Sequence, residues 1–284
     1  MMDNKKGTLY VVGTPIGNLA DITYRAIDTL NFVDIILAED TRNTLKLLTH
    51  FNIKKTLISY EKHSENKKLE QVLEILDDGK NVALVSDAGM PLVSDPGENL
   101  VKVLREKNYN LEIIPGVTAL ITGIVGSGID SSRFTFEGFL SVNKKQRISH
   151  LNSIKDETRT MIFYEAPHKI LYTLQDLYDI IGNRKITICR ELTKIHEEYK
   201  TTTIKEAIEN IKINGIKGEI VLIVEGKNEE ELKEEKLKIL NKISNVELVK
   251  KYMSSGMDKK DAIKKVAREK NLNKNIVYKE CLDL

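Results

Sequence analysis

Ser86-Asp-Ala-Gly-Met-Pro-Leu-Val-Ser-Asp-Pro-Gly97 is the stretch that decides how this chain is read. An apolar, strand-like run, Val82-Ala-Leu-Val85, leads into it, and a helical pattern begins near Glu98. Aspartate, glycine and proline at this density stop helix and strand alike, because they impose unusual backbone angles and remove donors. A constrained loop at the carboxyl end of a buried strand is where open α/β sheets bind their ligands. The second half also reads as a helix start, with Asp95 as N-cap, Pro96 in the first helical position and Glu98 at capping-box spacing. A capped turn accounts for Asp95 to Glu98. It does not account for Ser86 to Leu92, which reads as functional.

Outward from this loop, strand and helix signals alternate. Leu9–Val12, Ile35–Ala38, Leu57–Tyr60 and Val82–Val85 read as buried strands. Helical patterns start at Asp21 or Thr23 and cover Thr44–Phe51 and Leu69–Leu76. Such alternation predicts a mostly parallel sheet. After Ile114-Pro-Gly116 the pattern changes. Strands over Phe134–Phe139, Thr160–Tyr164, Ile186–Cys189, Glu198–Thr203 and Ile220–Val224, with helices near His168–Ile181 and Ile204–Ile211, predict a second α/β domain with a mixed sheet. Lys227–Lys238 is almost wholly charged, a linker or an exposed helix. Three short helices, near Val246–Ser254, Lys259–Lys270 and Lys274–Leu282, close the chain as a helix-turn-helix-like unit. The expected fold class is therefore α/β, with a small C-terminal helical unit. Its expected divisions are residues 1–116, 117–227, a linker 228–241 and a basic helical domain 242–284.

The 284 residues suffice for two cores. Cys189 and Cys281 stand far apart with no C-x-x-C pair, which argues against a disulfide framework or a cysteine zinc site and fits a reducing cytoplasm. No metal-ligand cluster is expected. The longest apolar run, Val117–Ile129, is too short and too glycine-rich to span a bilayer. Net charge is +2, unevenly spread: residues 242–284 carry a net +5 and the remainder −3. A basic tail on an acidic body fits a polyanionic partner or a plain solvated surface.

Gly13-Thr-Pro-Ile-Gly17 follows the first strand, but Pro15 stands where a dinucleotide loop requires glycine. Gly123-Ile-Val-Gly-Ser-Gly128 lies inside an apolar helical run and reads as close helix packing. No P-loop, H-E-x-x-H or G-x-S-x-G is present, so hydride transfer, nucleotide hydrolysis and serine-hydrolase chemistry lose ground.

Seven motifs recur in order: Gly13-Thr-Pro-Ile-Gly-Asn-Leu19, Ala38-Glu-Asp-Thr-Arg42, Ser86–Gly97, Ile114-Pro-Gly-Val-Thr-Ala119, Tyr164-Glu-Ala-Pro-His168, Arg190-Glu-Leu-Thr-Lys194 and Gly218-Glu-Ile-Val221. Together they make the chain resemble, over essentially its whole length, the bacterial small-subunit ribosomal RNA (cytidine 2′-O)-methyltransferases of the tetrapyrrole methylase superfamily. The resemblance implies S-adenosylmethionine (SAM) in a cleft between two α/β domains, a homodimer, and cytidine 1402 of 16S rRNA on the 30S subunit as target. It implies that Pro15 and Ile16 floor the cleft, that Asp87 and Met90 line it, and that Thr118 and Ala119 meet the methionine carboxylate at a helix start. Tyr164, Leu192, Gly218, Glu219 and Ile220 would close on the adenine. Each has a plain alternative: Ile16, Leu192 and Ile220 suit a core, Gly218 a turn.

A ribose 2′-hydroxyl yields its proton reluctantly, so a base beside an oriented acceptor is expected. Glu39 and Asp40 are the candidates. Adjacent strand residues face opposite ways, so only one can enter the cleft, and Asp40 also suits a helix cap. Arg42 is placed to anchor a phosphate. Lys144, Lys145 and Arg147 read as an RNA-facing loop or an ordinary solvated face, and Lys259, Lys260 and Lys264 of the basic tail as further RNA-binding residues. A small-molecule methylase of the same fold and a non-catalytic RNA-binding factor stay open as alternatives.

Overall fold

A computed structural model of the protein describes residues 6–61 and 65–284. Contacts divide the chain into two compact units, Met1–Lys155 with Arg159–Glu225, and Asp156–Thr158 with Gly226–Leu284. The first unit holds two five-stranded sheets among its described residues.

The first sheet contains β1 (Thr8–Val12), β2 (Ile35–Ala38), β3 (Thr56–Ser59), β4 (Val82–Val85) and β5 (Asn110–Ile114), all parallel, in the order β3-β2-β4-β1-β5. The connecting helices are α1 (Tyr24–Phe32), α2 (Thr41–His50), α3 (Glu65–Asp77) and α4 (Glu98–Glu106). Alternate strand residues feed two cores. Leu9, Val11, Leu37 and Leu84 pack with Leu76, Leu100 and Leu104, while Val12, Ile36, Ala83 and Val85 pack with Ala26, Leu30 and Leu48. That double burial explains why β4 reads as an unbroken apolar run. Each fully buried aliphatic side chain contributes about 1.5–3 kcal/mol. In register, Ala38 lies opposite Val85 and Val12 opposite Ile114, so the loops after β1, β2, β4 and β5 leave from one edge. β5 is the strand that the sequence pattern hides, because Asn110 and Glu112 are exposed along this sheet edge.

α5 (Ala119–Ser127) leads into the second sheet, order β6-β7-β10-β8-β9, made of β6 (Phe134–Phe139), β7 (Thr160–Glu165), β8 (Lys185–Arg190), β9 (Glu198–Thr203) and β10 (Ile220–Val224). β6 and β7 are parallel and the other pairs antiparallel. One face packs on α7 (Ile170–Ile181) and α8 (Ile204–Asn214) through Phe163, Ile188 and Leu222 against Leu174, Leu177 and Ile208. The other face receives α5. A Cβ on Gly123 would meet Val221 at 3.2 Å and one on Gly126 would overlap the Tyr199 ring at 2.2 Å, so the glycine run is close packing, as its sequence suggests.

Lys144, Lys145 and Arg147, read above as a loop, lie on a helix, α6 (Lys144–Ser153), capped by Asn143. Arg147 is correspondingly not an RNA-facing residue. It is buried, donates to Asp176 at 2.6 Å and to the Ser141 and Val142 carbonyls at 2.9 and 3.2 Å, and pins α6 to α7. Lys144 and Lys145 are exposed.

In the second unit the charged segment is helical: α9 spans Glu229–Asn241, capped by Asn228. α10 (Asn245–Ser254), α11 (Lys259–Glu269) and α12 (Lys274–Glu280) follow, capped by Ser244, Asp258 and Asn273. Leu248, Val249, Ile263, Val266 and Val277 form their core. Gly256 and Asn271 turn the chain between them at φ 96° and 52°. Lys260 is exposed, Lys264 pairs with Asp261 at 2.8 Å, and Lys259 reaches the Leu282 carbonyl. No helix among the described residues is long and apolar enough to cross a membrane.

Candidate active site

The loops at the carboxyl edge of the first sheet converge, and glycine lets them. Gly13 and Gly116 touch backbone to backbone: a Cβ on Gly13 would fall 2.8 Å from the Gly116 Cα and 2.7 Å from the Met90 sulfur. Thr14 and Gly89 exchange backbone hydrogen bonds of 2.9 and 3.1 Å, which ties the β1 loop to the β4 loop. Within the β4 loop Gly89 takes φ +79°, and Leu92 and Ser94 hold the same left-handed region at 73° and 75°. Two non-glycine residues there cost roughly 1–3 kcal/mol each, and surrounding contacts must enforce them.

The result is a cavity of about 370 Å³, within the range of small-molecule sites. Ile16, Met90, Ala119, Phe139, Leu192 and Ile220 give it apolar walls. Tyr164 enters from β7 with its ring edge-on to Phe136 and Phe139, and its hydroxyl accepts the Leu120 amide of the first turn of α5 at 3.1 Å. Burial pushes that phenol up. Thr118 caps α5 without a side-chain bond, so the positive end of the helix faces the cavity that Thr118 and Ala119 line.

Facing these groups are the carboxylates Glu39, Asp87 and Asp95. Asp87 accepts the Asp40 amide at 3.0 Å and the Asn43 side chain at 2.9 Å, fixing the start of α2 against the β4 loop. Burial, then the charge of Asp87, raises the pKa of Glu39 from its ordinary value. Burial, then the charge of Glu39, pushes Asp95 up to about 6. Glu165 also lines the cavity, but it is buried and fully partnered: it accepts from the Ala166 amide at 2.8 Å, from Thr173 and from Lys169 at 3.0 Å.

Asp95 is the residue that sequence reasoning misplaced. It is not the cap of α4. Gly97, at φ 122°, occupies the N-cap position with no side-chain bond, and the helix starts at Glu98. The left-handed turns at Leu92 and Ser94 carry Asp95 to the cavity instead. Of the adjacent acids, Glu39 faces the cavity and Asp40 caps α2, its side chain accepting from the Arg42 amide at 2.9 Å. Hydrogen bonds from the Arg42 guanidinium hold Asp40 down to about 2. Arg42 itself lies outside the cavity, its side chain 86% exposed.

The remaining wall comes from a clip between the β8–β9 turn and the start of β10. Lys194 donates to Glu191 at 3.1 Å and Glu219 at 2.8 Å, and the Glu191 carboxylate also accepts the Glu219 amide. Gly218, at φ 88°, does not line the cavity: a Cβ there would fall 2.6 Å from the Glu191 side chain, so it is the turn that admits the clip. Pro15 lines a neighbouring hollow of about 300 Å³, which shares Ile16, Asp87, Ala88 and Glu219 with the main cavity and adds Asn43, Thr44, Lys46 and Lys194.

Comparison with known proteins agrees with this architecture. The family model for tetrapyrrole (corrin/porphyrin) methylases matches residues 8–208. A ribosomal RNA small subunit methyltransferase I from Halalkalibacterium halodurans is 45% identical over 273 residues, 96% of this chain and 94% of that protein. One from Thermotoga maritima is 46% identical over 221 residues, 78% of this chain and 99% of its own length. Uroporphyrin-III C-methyltransferase from Thermus thermophilus, complexed with S-adenosylhomocysteine, superposes with a TM-score of 0.56 at 18% identity, covering 78% of this chain and 98% of that chain.

Proposed function

The chain belongs to the tetrapyrrole methylase family and, within it, to the ribosomal RNA small subunit methyltransferases I; from that premise we propose that it transfers a methyl group from SAM to the 2′-hydroxyl of a cytidine in 16S rRNA, cytidine 1402 by resemblance, on the 30S subunit. The observation that carries the methyl-transfer reading is the two-sided cavity, with carboxylates on one side and a helix N-terminus on the other. That donor set fits a ligand carrying both a cationic sulfonium and a carboxylate. The apolar walls with Tyr164 fit its adenosine. When bound, SAM supplies an electrophilic methyl group, so activation of the acceptor falls to the protein.

Thr118 and Ala119 would hold the cofactor carboxylate at the start of α5. Ile16, Met90, Leu192, Glu219 and Ile220 would enclose the rest of it, and Asp87, immobilised by Asp40 and Asn43, would face its positive charge. Glu39 and Asp95 form the base. Burial raises the proton affinity of both, with the charge of Asp87 adding to it at Glu39 and that of Glu39 at Asp95, so an ionised member accepts the 2′-hydroxyl proton more readily than an isolated carboxylate. A homodimer, as the resemblance implies, and a cytoplasmic location complete the reading.

The test is transfer of labelled methyl from SAM to 30S subunits that lack the modification, followed by mapping of the labelled nucleotide. The expected product is one 2′-O-methylcytidine in the decoding region. Measurable SAM binding with no label in RNA would overturn the RNA assignment and point to a small-molecule acceptor.

A further inference from the structure

α2 begins beside the base pair of carboxylates and runs away from them, and its sequence, Thr41-Arg-Asn-Thr-Leu-Lys-Leu-Leu-Thr-His50, contains no acidic residue. Arg42, Lys46 and His50 recur every four residues, so they share one face of the helix. All three are exposed. Together with Leu45 and Thr49 they line a shallow surface groove. Lys46 also lines the hollow that adjoins the cofactor cavity across Ile16 and Asp87. Among the described residues no ion pair or hydrogen bond engages the Lys46 ammonium, unlike Lys194 across the same hollow, which two glutamates hold.

We infer that this face of α2 is the path of the RNA backbone into the active site, with Lys46 as the phosphate contact nearest the acceptor ribose. The inference rests on the RNA reading of function. Three observations carry it. The charge is complementary to a polyanion and sits at the mouth of an otherwise acidic cavity, where a phosphodiester chain needs a cation to approach. The hollow offers Asn43 and Thr44 beside Lys46, a mixture of donors suited to phosphate and ribose oxygens. Finally, the Thermotoga maritima relative is matched over 99% of its length by 221 residues of this chain, a length that suffices for the first unit and leaves none for a second of this size. A protein of the same name as the longer relatives thus lacks room for the basic helices, which favours RNA contacts on the first unit itself.

The experiment compares full-length wild type with Lys46→Glu and Lys46→Arg. It measures SAM affinity by calorimetry, and kcat and KM for unmodified 30S subunits at several salt concentrations. For Lys46→Glu the expected result is a KM raised roughly tenfold, with a salt dependence shallower by about one phosphate contact. SAM affinity stays within about twofold, and Lys46→Arg restores KM. A Lys46→Glu enzyme whose KM and salt slope match those of an active wild type overturns the path along α2 alone. A wild type that transfers no methyl to RNA overturns the functional reading and this path together.

Discussion

The wall of the cofactor cavity and the outer face of α2 are separated by only a few residues of chain, yet they carry opposite charge in opposite solvent. Glu39, Asp87 and Asp95 are turned inward, and the two whose proton affinity shifts move up because burial withholds solvation. Arg42, Lys46 and His50 stand in water, where the charges of Arg42 and Lys46 are well solvated. The difference teaches how one short segment of chain can present surfaces suited to ligands of opposite sign. Asp40 is the divider: it caps α2 and engages Arg42 on the outer side.

The most damaging way to break this contrast is to remove the inward charge. Replacing Glu39 by Gln and Asp95 by Asn together lowers kcat by roughly a thousandfold, the scale of a lost general base. In the wild type, because Asp95 is raised to about 6, kcat/KM for 30S falls as pH drops through that value and the base becomes protonated. A flat profile between pH 5 and 8 would remove the pair from the chemistry.

Asp87 touches both sides of the comparison. Asp87→Ala leaves the Asp40 amide and the Asn43 side chain without their acceptor, and calorimetry should report SAM affinity weakened about ten- to hundredfold. Unchanged affinity would mean that Asp87 only braces α2. A smaller effect is expected from a chain ending at Glu225, which removes the second unit: KM for 30S rises by about threefold to tenfold while SAM affinity is unaltered. Equal loss of both would assign the helical unit a folding role instead.

The mildest effect is on stability. Asp95 binds its proton more tightly folded than unfolded, so the folded state loses stability as pH rises from about 4 through about 6, and the cost persists above. Asp95→Asn removes it. The variant should melt a few degrees above wild type at pH 7 and level with it at pH 4. A lower melting temperature at pH 7 would show that the ionised carboxylate is well accommodated.

Both sheets were largely legible in the sequence because doubly buried strands such as Val82–Val85 need only local apolarity to be recognised. Asn110–Ile114 escaped because an edge strand with exposed Asn110 and Glu112 carries no such run. Lys144–Ser153 escaped because its inward positions are filled by an arginine, Arg147, together with Leu151; the partner that makes an arginine a core residue, Asp176, lies 29 residues away. The site shows the same limit. Asp87, Thr118 and Tyr164 sit at element ends that a motif can mark. Asp95 followed a helix-start pattern so well that its local reading was a cap, and its role emerges only from Glu39, which the fold brings from another strand.

The central claim is that the inward carboxylates face a sulfonium. Calorimetry of SAM and S-adenosylhomocysteine from pH 5 to 8 tests it most directly, because the two ligands differ in the charge on sulfur and share every other titrating group. The account predicts that SAM affinity falls below about pH 6 more steeply than that of S-adenosylhomocysteine, and that Asp95→Asn abolishes the difference. Parallel pH profiles for the two ligands in the wild type would contradict it.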